Sequence, residues 1–296
     1  MKKIYLSVIL ILAVISNALA QGKLLYDTLQ KPQLISKQFS FTEGPAVDKK
    51  GNIFFTDQPN NKIWKYDTEG KLSVFMEKAG RSNGMFFDKK GNLISCADEQ
   101  DQLWSIDKNG KATVLVKDFN GHRLNGPNDV WVNNKTGGIY FTDPYYQRDY
   151  WDRKTSDMDG QKVYYLPPNG LPVIVDDQLK KPNGIVGTPD IKTLYVSDIQ
   201  ANKIYKYSIA ADGKLSGKQL LINQGSDGMT VDVEGNIYLT GKGVTVYDPA
   251  GKKIAHIDIP EPWTANICFG GKDRKLLFIT ASTAIYTLRM NVKGVE

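Results

Sequence analysis

The stretch Val47–Lys71, VDKKGNIFFTDQPNNKIWKYDTEGK, is matched forty residues later by Phe87–Lys111, FDKKGNLISCADEQDQLWSIDKNGK. Each copy reads as a turn, a β-rich run, a second turn and another β-rich run that ends in a charged turn. Self-similarity at a period of this length is typical of a repeat architecture, in which each repeat is one supersecondary unit. The repeat therefore decides the fold.

Four further copies begin at Val132, Gly187, Val231 and Gly270, which makes six. Their apolar runs are short and rich in β-branched and aromatic residues, and none has a helical period. Six such units predict an all-β fold, a six-bladed β-propeller with one four-stranded antiparallel sheet per repeat and strand A innermost. The alternative, a β-helix, has much shorter repeats. We expect Gln33–Phe39 to close the ring as an outer strand of the last blade.

The first twenty residues have the pattern of a secretory signal peptide. Lys2 and Lys3 precede a largely apolar run, Ile4–Ile15, and Ala18-Leu19-Ala20 is a small-x-small cleavage signal before Gln21. The run is too short to span a bilayer. We therefore expect residues 1–20 to be removed and residues 21–296 to form a single propeller domain. The mature protein is predicted to be exported, periplasmic or secreted, and to have no membrane association.

Composition is that of an ordinary globular protein, with 41% apolar and 24% charged residues. The net charge of +6 falls to +4 without Lys2 and Lys3, and the remaining lysines are spread singly over turns. This pattern excludes a nucleic-acid-binding stripe. Cys96 and Cys268 lie in apolar, strand-like contexts, so we predict two buried thiols rather than a disulfide.

Aligning the six copies at the start of strand A brings one position into register. In a propeller, strand A of every blade lines the central channel, so these side chains should meet at one mouth. Asparagine and aspartate are also turn formers, and that alternative explains one or two copies. It explains neither a glutamate nor six registered positions. The six are Glu43, Asn83, Asn128, Asn183, Asp227 and Asn266.

The chemistry of this ring favours a hard divalent cation. Calcium accepts six to eight oxygen ligands in flexible geometry, from carboxylates, amide carbonyls and water. Glu43 and Asp227 would offset its charge. Zinc is disfavoured as the resident ion because both histidines and both cysteines lie outside the register.

The motifs FTEGPAVD, RLNGPNDVWV, KPNGIVGTPD and SDGMTVDVEGNIYLT resemble the family of senescence marker protein, gluconolactonase and luciferin-regenerating enzyme. The resemblance covers nearly the whole mature chain and implies a six-bladed propeller with a divalent cation, usually calcium, at the channel mouth. It implies lactone hydrolysis for many members, with zinc, magnesium or manganese as further ions that could serve in assay. The metal ligands that it implies are Glu43, Asn128, Asn183 and Asp227, with Asn128 acting through water in some relatives.

Substrate contacts are predicted around the same mouth. The loop between Asp143 and Lys162 is fourteen residues longer than its counterpart in the first copy. Loops of this length are often functional. We expect it to cover the site, with Tyr145 and Arg148 among its substrate-binding groups, although a solvated surface loop is an equal alternative. The family resemblance implies substrate contacts for Arg81 and Asn83, and we add Asn128.

Two other signals are set aside. Gly80-Arg81-Ser82-Asn83-Gly84 matches G-x-S-x-G, but a nucleophile elbow needs a strand–turn–helix context and a histidine partner. His122 is interpreted as a bystander near the mouth, and His256, in an outer strand, as structural.

These observations predict a metal-dependent lactonase that opens a sugar aldonolactone, with water as nucleophile. Asp227 is the candidate general base, and Glu43 holds charge and geometry. One alternative is hydrolysis of phosphotriesters or aryl esters on the same metal. Another is a non-catalytic propeller that binds a ligand and holds a structural ion. The expected partner is a small-molecule lactone, and the oligomeric state does not follow from the sequence.

Overall fold

The structure, a computed structural model, describes residues 24–295. The predicted signal peptide lies outside these residues. Apart from one turn of 3₁₀-helix, Asp98–Gln100, the regular structure within them is β-strand. No helix in that part of the chain has the length and apolar character needed to cross a bilayer.

The first half of the chain supplies thirteen strands. In chain order they are β1 (Gln33–Ser36), β2 (Thr42–Val47), β3 (Ile53–Asp57), β4 (Lys62–Tyr66), β5 (Leu72–Glu77), β6 (Ser82–Phe87), β7 (Leu93–Ala97), β8 (Gln102–Ile106), β9 (Ala112–Val116), β10 (Val130–Val132), β11 (Ile139–Asp143), β12 (Lys162–Leu166) and β13 (Val173–Asp176).

The second half supplies eleven more. They are β14 (Pro182–Gly187), β15 (Thr193–Asp198), β16 (Lys203–Ile209), β17 (Leu215–Ile222), β18 (Met229–Val231), β19 (Ile237–Gly241), β20 (Gly243–Tyr247), β21 (Lys253–Ile257), β22 (Asn266–Gly270), β23 (Leu276–Ala281) and β24 (Ala284–Arg289).

These strands form six four-stranded antiparallel sheets, and the predicted six-bladed propeller is confirmed. Five sheets take consecutive strands, from β2–β5 to β18–β21. The sixth has the order β1-β24-β23-β22, so the N-terminal strand completes the blade formed by the C-terminal ones. Leu34 pairs with Tyr286 in this closure, as the sequence predicted for residues 33–39. Innermost strands are almost wholly buried, whereas the residues of outermost strands such as β5 and β21 are mostly exposed or half-buried.

The ring closes because each innermost strand contacts that of the next blade, and β22 contacts β2. Apolar side chains fill the spaces between neighbouring blades, as in the cluster of Phe39, Phe55 and Phe278. Cys96 and Cys268 are buried thiols with no disulfide between them, as predicted.

The repeated Asp-x-x-Gly-Asn turn explains one set of aspartates and removes it from the list of functional candidates. Asp48 Oδ1 accepts hydrogen bonds from the backbone N–H groups of Lys50 and Asn52, both at 2.9 Å, and Asn52 Nδ2 donates to Oδ2 at 2.7 Å. Asp88 and Asp232 repeat the arrangement. These carboxylates lie between strands A and B, at the end of the channel opposite the ring.

Glycine follows the ring residue in four of six blades because the next blade's chain approaches too closely for a side chain. A Cβ on Gly44 would lie 2.0 Å from the carbonyl oxygen of Asn83. One on Gly184 would lie 2.3 Å from the carbonyl oxygen of Asp227. The Glu-Gly, Asn-Gly and Asp-Gly pairs thus combine a ring side chain with a packing requirement between blades.

We expect Gly44→Ala to destabilise the protein more than Gly121→Ala. Both glycines have positive φ, +46° and +83°, so each substitution incurs about 1–2 kcal/mol of backbone strain. Only Gly44 also faces a backbone collision, which adds about 1–3 kcal/mol. Chemical denaturation measures the difference, and equal losses in the two variants would contradict the packing argument. Gly121 is the matched control because a Cβ there would meet nothing within 4 Å.

Candidate active site at one mouth of the channel

The six registered positions lie at one end of the channel, on or just before the innermost strands. Glu43, Asn83, Asn128, Asn183 and Asn266 are buried, and Asp227 is partly exposed. Asn128 and Asp227 immediately precede the short strands β10 and β18. The repeat register therefore places all six side chains where the sequence predicted.

Three of these positions are held by an aspartate at the mouth end of their own second strand. Each aspartate accepts two consecutive backbone N–H groups, which belong to residues three and two before the ring residue. These hydrogen bonds therefore fix the backbone immediately before Glu43, Asn128 and Asn183. The bonds are Asp57 to Ser40 and Phe41 at 3.0 and 3.2 Å, Asp143 to Asn125 and Gly126 at 2.9 Å each, and Asp198 to Lys180 and Lys181 at 2.8 and 3.0 Å.

In four blades, a hydroxyl group on the second strand donates to a backbone carbonyl of the next blade at the level of the ring. Thr142 Oγ1 donates to the carbonyl oxygen of Asn183 at 2.8 Å, and Thr240 Oγ1 donates to that of Ala265 at 2.8 Å. Buried hydroxyl–carbonyl bonds of this kind are costly to leave unmade. In a Thr-Asp pair such as Thr142-Asp143, the aspartate thus fixes the backbone of its own blade, and the threonine binds the backbone of the next blade.

Glu43 is buried, and its carboxylate is oriented by its own turn. The backbone N–H of Gly44 donates to Oε2 at 2.8 Å. Burial, followed by the charge of Asp227, raises the pKa of Glu43 well above its ordinary value. A buried carboxylate that faces a second carboxylate is unfavourable in isolation, and an opposite charge at the same place removes the penalty.

Asp227 is the second ring carboxylate, and a tryptophan orients it. Trp263 Nε1 donates to Oδ2 at 2.6 Å. Burial raises the pKa of Asp227 to about 6, although the bonds from Trp263 and Asn183 and the charge of Arg148 lower it. One carboxylate oxygen is therefore fixed by an indole N–H, in a position next to a guanidinium.

Asn183 is oriented by the long loop of the third blade. Its Nδ2 donates to the hydroxyl oxygen of Tyr146 at 3.1 Å, and the same amide bonds the Asp227 carboxylate. Because the nitrogen is used in this way, Oδ1 is the atom that the amide can offer to a ligand. Burial, followed by the charge of Asp227, raises the pKa of Tyr146 to about 12, so its hydroxyl stays protonated at neutral pH.

Asn266 is the ring member whose chemistry differs most from that of a metal ligand. The backbone N–H of Ile267 donates to its Oδ1 at 2.8 Å, and its amide bonds the carboxylates of Glu43 and Asp129. Its oxygen is thus occupied and its N–H groups face the carboxylates. Asn266 therefore acts as a hydrogen-bond donor within the ring.

Asp129 is a third carboxylate near the ring, and the sequence analysis did not single it out. It takes the place of the glycine that follows the ring residue in four other blades, and this departure was the available signal. Its Oδ1 would lie 2.3 Å from a Cβ on Gly84, so that glycine leaves room for it. Burial raises the pKa of Asp129 to about 8, and its charge contributes to the raised pKa of Glu43.

The long loop, residues 144–161, is attached to the second blade through Asp98. This buried carboxylate accepts a hydrogen bond from Arg148 Nε at 2.9 Å and another from the Tyr150 hydroxyl, while its backbone oxygen accepts one from Trp151 Nε1 at 3.0 Å. Arg148 is 22% exposed and Asp98 2%. Buried contacts therefore hold the loop against the second blade, and its role as a substrate-binding cover of the site stays a prediction.

A second buried pair holds the far half of the loop. Arg153 Nη2 lies 2.6 Å from Asp101 Oδ1, and the two side chains are 3% and 6% exposed. Arg153 also donates to the carbonyl oxygens of Leu124 and Asn125, at 2.9 and 2.5 Å, and stacks on Trp151 at 4.1 Å. Asp98 and Asp101 thus bind the loop to one blade while it reaches over the ring.

We expect this second pair to make stability depend on pH in a defined direction. Burial raises the pKa of Asp101 to about 7, although Arg153 lowers it. Between about pH 4, where an unfolded aspartate ionises, and pH 7 the folded state binds more protons, so the free energy of unfolding falls as pH rises. Asp101→Asn should reduce the difference between pH 5 and pH 8 by about 1 kcal/mol or more.

Denaturation of both proteins at the two pH values measures this effect. The exposed Asp149 of the same loop is the matched position, and Asp149→Asn is the control. An Asp101→Asn variant that keeps the full pH difference would contradict the assignment.

The predicted substrate-binding residues differ in their position relative to the ring. Arg148 is hydrogen-bonded to Asp98 and its charge lowers the pKa of Asp227, whereas Asn83 and Asn128 are buried in the ring. Arg81 donates to Glu99 and to the carbonyl oxygen of Pro59, and stacks on Tyr150 at 4.6 Å.

Tyr145 points back into the long loop, where its hydroxyl donates to Gln147 at 2.5 Å. The tyrosine of this loop that reaches the ring is its neighbour, Tyr146. Of the adjacent pair, sequence reasoning committed to Tyr145, whose role in substrate binding stays a prediction.

Ser82, at the centre of the G-x-S-x-G match, is buried and has structural partners. Its Oγ donates to the carbonyl oxygen of Ala79 at 2.5 Å and accepts a bond from Ser95 Oγ at 2.6 Å. The structure therefore agrees with setting that motif aside. Trp263, in contrast, gave no sequence signal beyond its position three residues before a ring member.

Metal-binding clusters built from His, Cys, Asp and Glu alone are not found between residues 24 and 295. Any cation at this mouth would need amide oxygens in addition to Glu43 and Asp227. The donor set of the ring provides them, since Asn183 Oδ1 is turned away from the hydrogen bond made by its nitrogen. The ring therefore fits an oxygen-coordinated ion and does not fit a site of soft ligands.

A six-bladed propeller with a polar ring at one mouth defines a class of proteins, and comparison with known proteins identifies the family. Residues 41–283 match the family model described as SMP-30/Gluconolactonase/LRE-like region, and this chain belongs to that family. A gluconolactonase from Zymomonas mobilis is 29% identical over 293 residues, which covers 88% of this chain and 82% of the relative.

Solved structures agree with this assignment. A gluconolactonase from Xanthomonas campestris has a TM-score of 0.81 at 26% identity, covering 90% of this chain and 97% of its own. A structure described as a calcium-binding protein, regucalcin, from Agrobacterium tumefaciens has a TM-score of 0.74 at 21% identity, covering 89% and 95%. At that identity the second comparison shows the shared fold.

Proposed function

We propose that this protein is a lactonase that hydrolyses a sugar aldonolactone at the channel mouth, with one divalent cation, calcium, held by the ring. The observation that carries the proposal is the pair of carboxylates Glu43 and Asp227. They face each other in a largely buried ring, where their repulsion is unfavourable unless a cation lies between them. The gluconolactonase relatives in two organisms support the choice of substrate class.

The residues that would hold the cation are Glu43, Asn183, Asp227 and Asn128. Glu43 and Asp227 contribute the negative charge, and Asn183 contributes the amide oxygen that its hydrogen bond to Tyr146 orients. Asn128 is held from both sides, since its N–H donates to the Thr142 carbonyl at 2.9 Å and its carbonyl accepts from Gly84 N–H at 2.7 Å. When bound, the cation supplies Lewis-acid polarisation of the lactone carbonyl.

We assign proton transfer to Asp227. Its Oδ2 is fixed by Trp263, so its other oxygen can accept a proton from the attacking water. Water oxygen then bonds to the carbonyl carbon, the ring C–O bond breaks, and the proton returns to the departing alkoxide. The product is the open hydroxy acid, and no further reactant is needed.

Other groups of the mouth bind the substrate. Arg148 keeps a positive charge beside Asp227, and the protonated Tyr146 hydroxyl lies next to Asn183. The ordered loop excludes water from one side of the ring, which strengthens each of these interactions. Arg81, Asn83 and Asn128 remain proposed substrate contacts.

A substrate panel tests the proposal. We expect calcium-loaded protein to open δ-gluconolactone with kcat/KM of about 10⁴ M⁻¹s⁻¹ or more. Aryl acetates and phosphotriesters should react more slowly than the lactone. Faster turnover of either class would favour the general esterase alternative, and binding of sugars without hydrolysis of any substrate would favour a ligand-binding propeller.

A further inference from the structure

A cavity lies at the end of the channel opposite the ring. Its walls include the last residues of four neighbouring innermost strands, Val47, Phe87, Val132 and Gly187, whereas the ring residues lie where these strands begin. Four residue steps along β2 separate Glu43 from Val47, a distance of up to about 13 Å. None of the six ring residues lines the cavity. It is therefore separate from the candidate active site.

Much of the cavity wall is apolar. The volume is about 460 Å³, within the range of small-molecule sites. Val186 and Trp131 are buried, and the indole ring packs so closely on Gly187 that a Cβ there would lie 2.2 Å from it. The half-buried apolar side chains that complete the wall are Phe86, Phe87, Ile191 and Val295. A ligand with a carbon skeleton can therefore remove apolar surface from water here.

The charged groups around the cavity are mostly cations. The two aspartates among them are already hydrogen-bonded within the protein. Asp88 accepts the backbone N–H groups of Lys90 and Asn92 at 2.8 Å each, and Asp190 accepts the Thr188 hydroxyl at 2.6 Å. The cations are Lys49, Lys89, Lys135 and Arg274. None of these four forms an ion pair with a carboxylate of residues 24–295, so an anionic ligand would meet uncompensated positive charge.

Arg274 brings a buried donor without a partner to this wall. Its Nη2 donates to the carbonyl oxygen of Asp48 at 2.6 Å, and its own carbonyl oxygen accepts from the Gly294 N–H at 2.9 Å. Its Nη1 is buried and has no hydrogen-bond partner in the described part of the chain. A charged N–H group left in this way is unfavourable, and an anionic oxygen at the same place removes the penalty.

We propose that this cavity binds a carboxylate with an apolar body, and that Arg274 Nη1 donates to its carboxylate group. A single anionic head group suits the site because the other terminal nitrogen of the guanidinium is used by Asp48. The apolar body would pack against Trp131 and Val186. This site lies away from the ring, so the proposal does not depend on the proposed lactonase function.

Calorimetric titration of the purified protein with decanoate, in the presence of calcium, tests the site. We expect a dissociation constant of about 100 μM or lower. Decanol, which has the same chain length and no charge, should bind about tenfold more weakly, because it cannot make the charged hydrogen bond. Arg274→Gln should weaken decanoate binding about tenfold and leave decanol binding unchanged. A variant that merely disturbed the fold would weaken both.

The matched control is Arg289→Gln, which should bind decanoate as the wild type does. Arg289 belongs to the same blade, is 53% exposed, pairs with Asp273 and does not line the cavity. A second variant, Lys135→Glu, changes an exposed side chain and therefore leaves packing intact. It should weaken decanoate binding about threefold at low salt, whereas Lys108→Glu, in an outer turn, should not.

Asp227→Asn shows whether the carboxylate binds at the ring instead, and it should bind decanoate as the wild type does. Weaker binding to Arg274→Gln or to Lys135→Glu, with wild-type binding to the three controls, would support the proposal. No binding of decanoate to the wild type would overturn it, as would equal binding to the wild type and both cavity variants. Loss of binding in Asp227→Asn but not in Arg274→Gln would also overturn it.

Discussion

Asp227→Asn is expected to lower kcat/KM for δ-gluconolactone by about 10³-fold or more, because the substitution removes a charge of the ring and its proton acceptor together. The amide keeps the shape of the side chain, so packing against Trp263 is largely retained. Asp248→Asn makes the same chemical change in the outer turn of the same blade, and it should leave activity at the wild-type level. Substantial activity in Asp227→Asn would contradict the role assigned to this carboxylate.

Glu43→Gln should reduce activity on the same scale, yet it should increase the stability of the protein. Burial and the Asp227 charge oppose the Glu43 carboxylate in the folded state. Removing its charge is therefore expected to raise the free energy of unfolding of metal-free protein by about 1–2 kcal/mol. Chemical denaturation in the presence of a chelator measures this. A loss of stability would mean that Glu43 is a structural carboxylate whose charge the fold needs.

Arg148→Ala is expected to lower kcat/KM by about 10²-fold. The guanidinium is hydrogen-bonded to Asp98 and its charge acts on Asp227. Its removal therefore takes a positive charge from the mouth and leaves the Asp98 carboxylate buried without its ion-pair partner. Arg148→Lys keeps the charge but loses the two-point contact, and should recover only part of the activity.

Arg123→Ala distinguishes two explanations of the Arg148 effect, the loss of its charge and the loosening of the loop. Arg123 pairs with Asp152 and Asp157 of the long loop, at 3.1 and 2.9 Å, and its side chain is 46% exposed. Exposed pairs contribute about 0–1 kcal/mol, so this variant loosens the loop slightly without touching the ring. A loss of activity equal to that of Arg148→Ala would show that Arg148 acts only by fixing the loop.

Repetition made most of the fold predictable. Six copies define six blades, and a position repeated in every copy must fall at one level of the ring, so Glu43 and Asp227 could be placed together without any contact information. The N-terminal strand was predictable because the last copy lacked an outer strand. The boundaries of the long loop, Asp143 and Lys162, follow from the same alignment.

The alignment does not show which non-repeated side chains contact each other. Trp263 reaches Asp227 from the connection between β21 and β22, whose counterparts in the other blades contain no tryptophan. Tyr146 rather than Tyr145 faces Asn183 because of the path of one loop. Asp129 was partly predictable, since the alignment shows a carboxylate at a position where four other blades have glycine.

Removal of the metal shows whether lactone hydrolysis depends on a cation held by the ring. The purified protein is treated with a chelator, shown by elemental analysis to be free of divalent metal, and assayed with δ-gluconolactone before and after addition of calcium. We expect hydrolysis to be lost on removal and restored by calcium, with a rise in thermal stability as the ion binds. Undiminished lactone hydrolysis by metal-free protein would contradict the account.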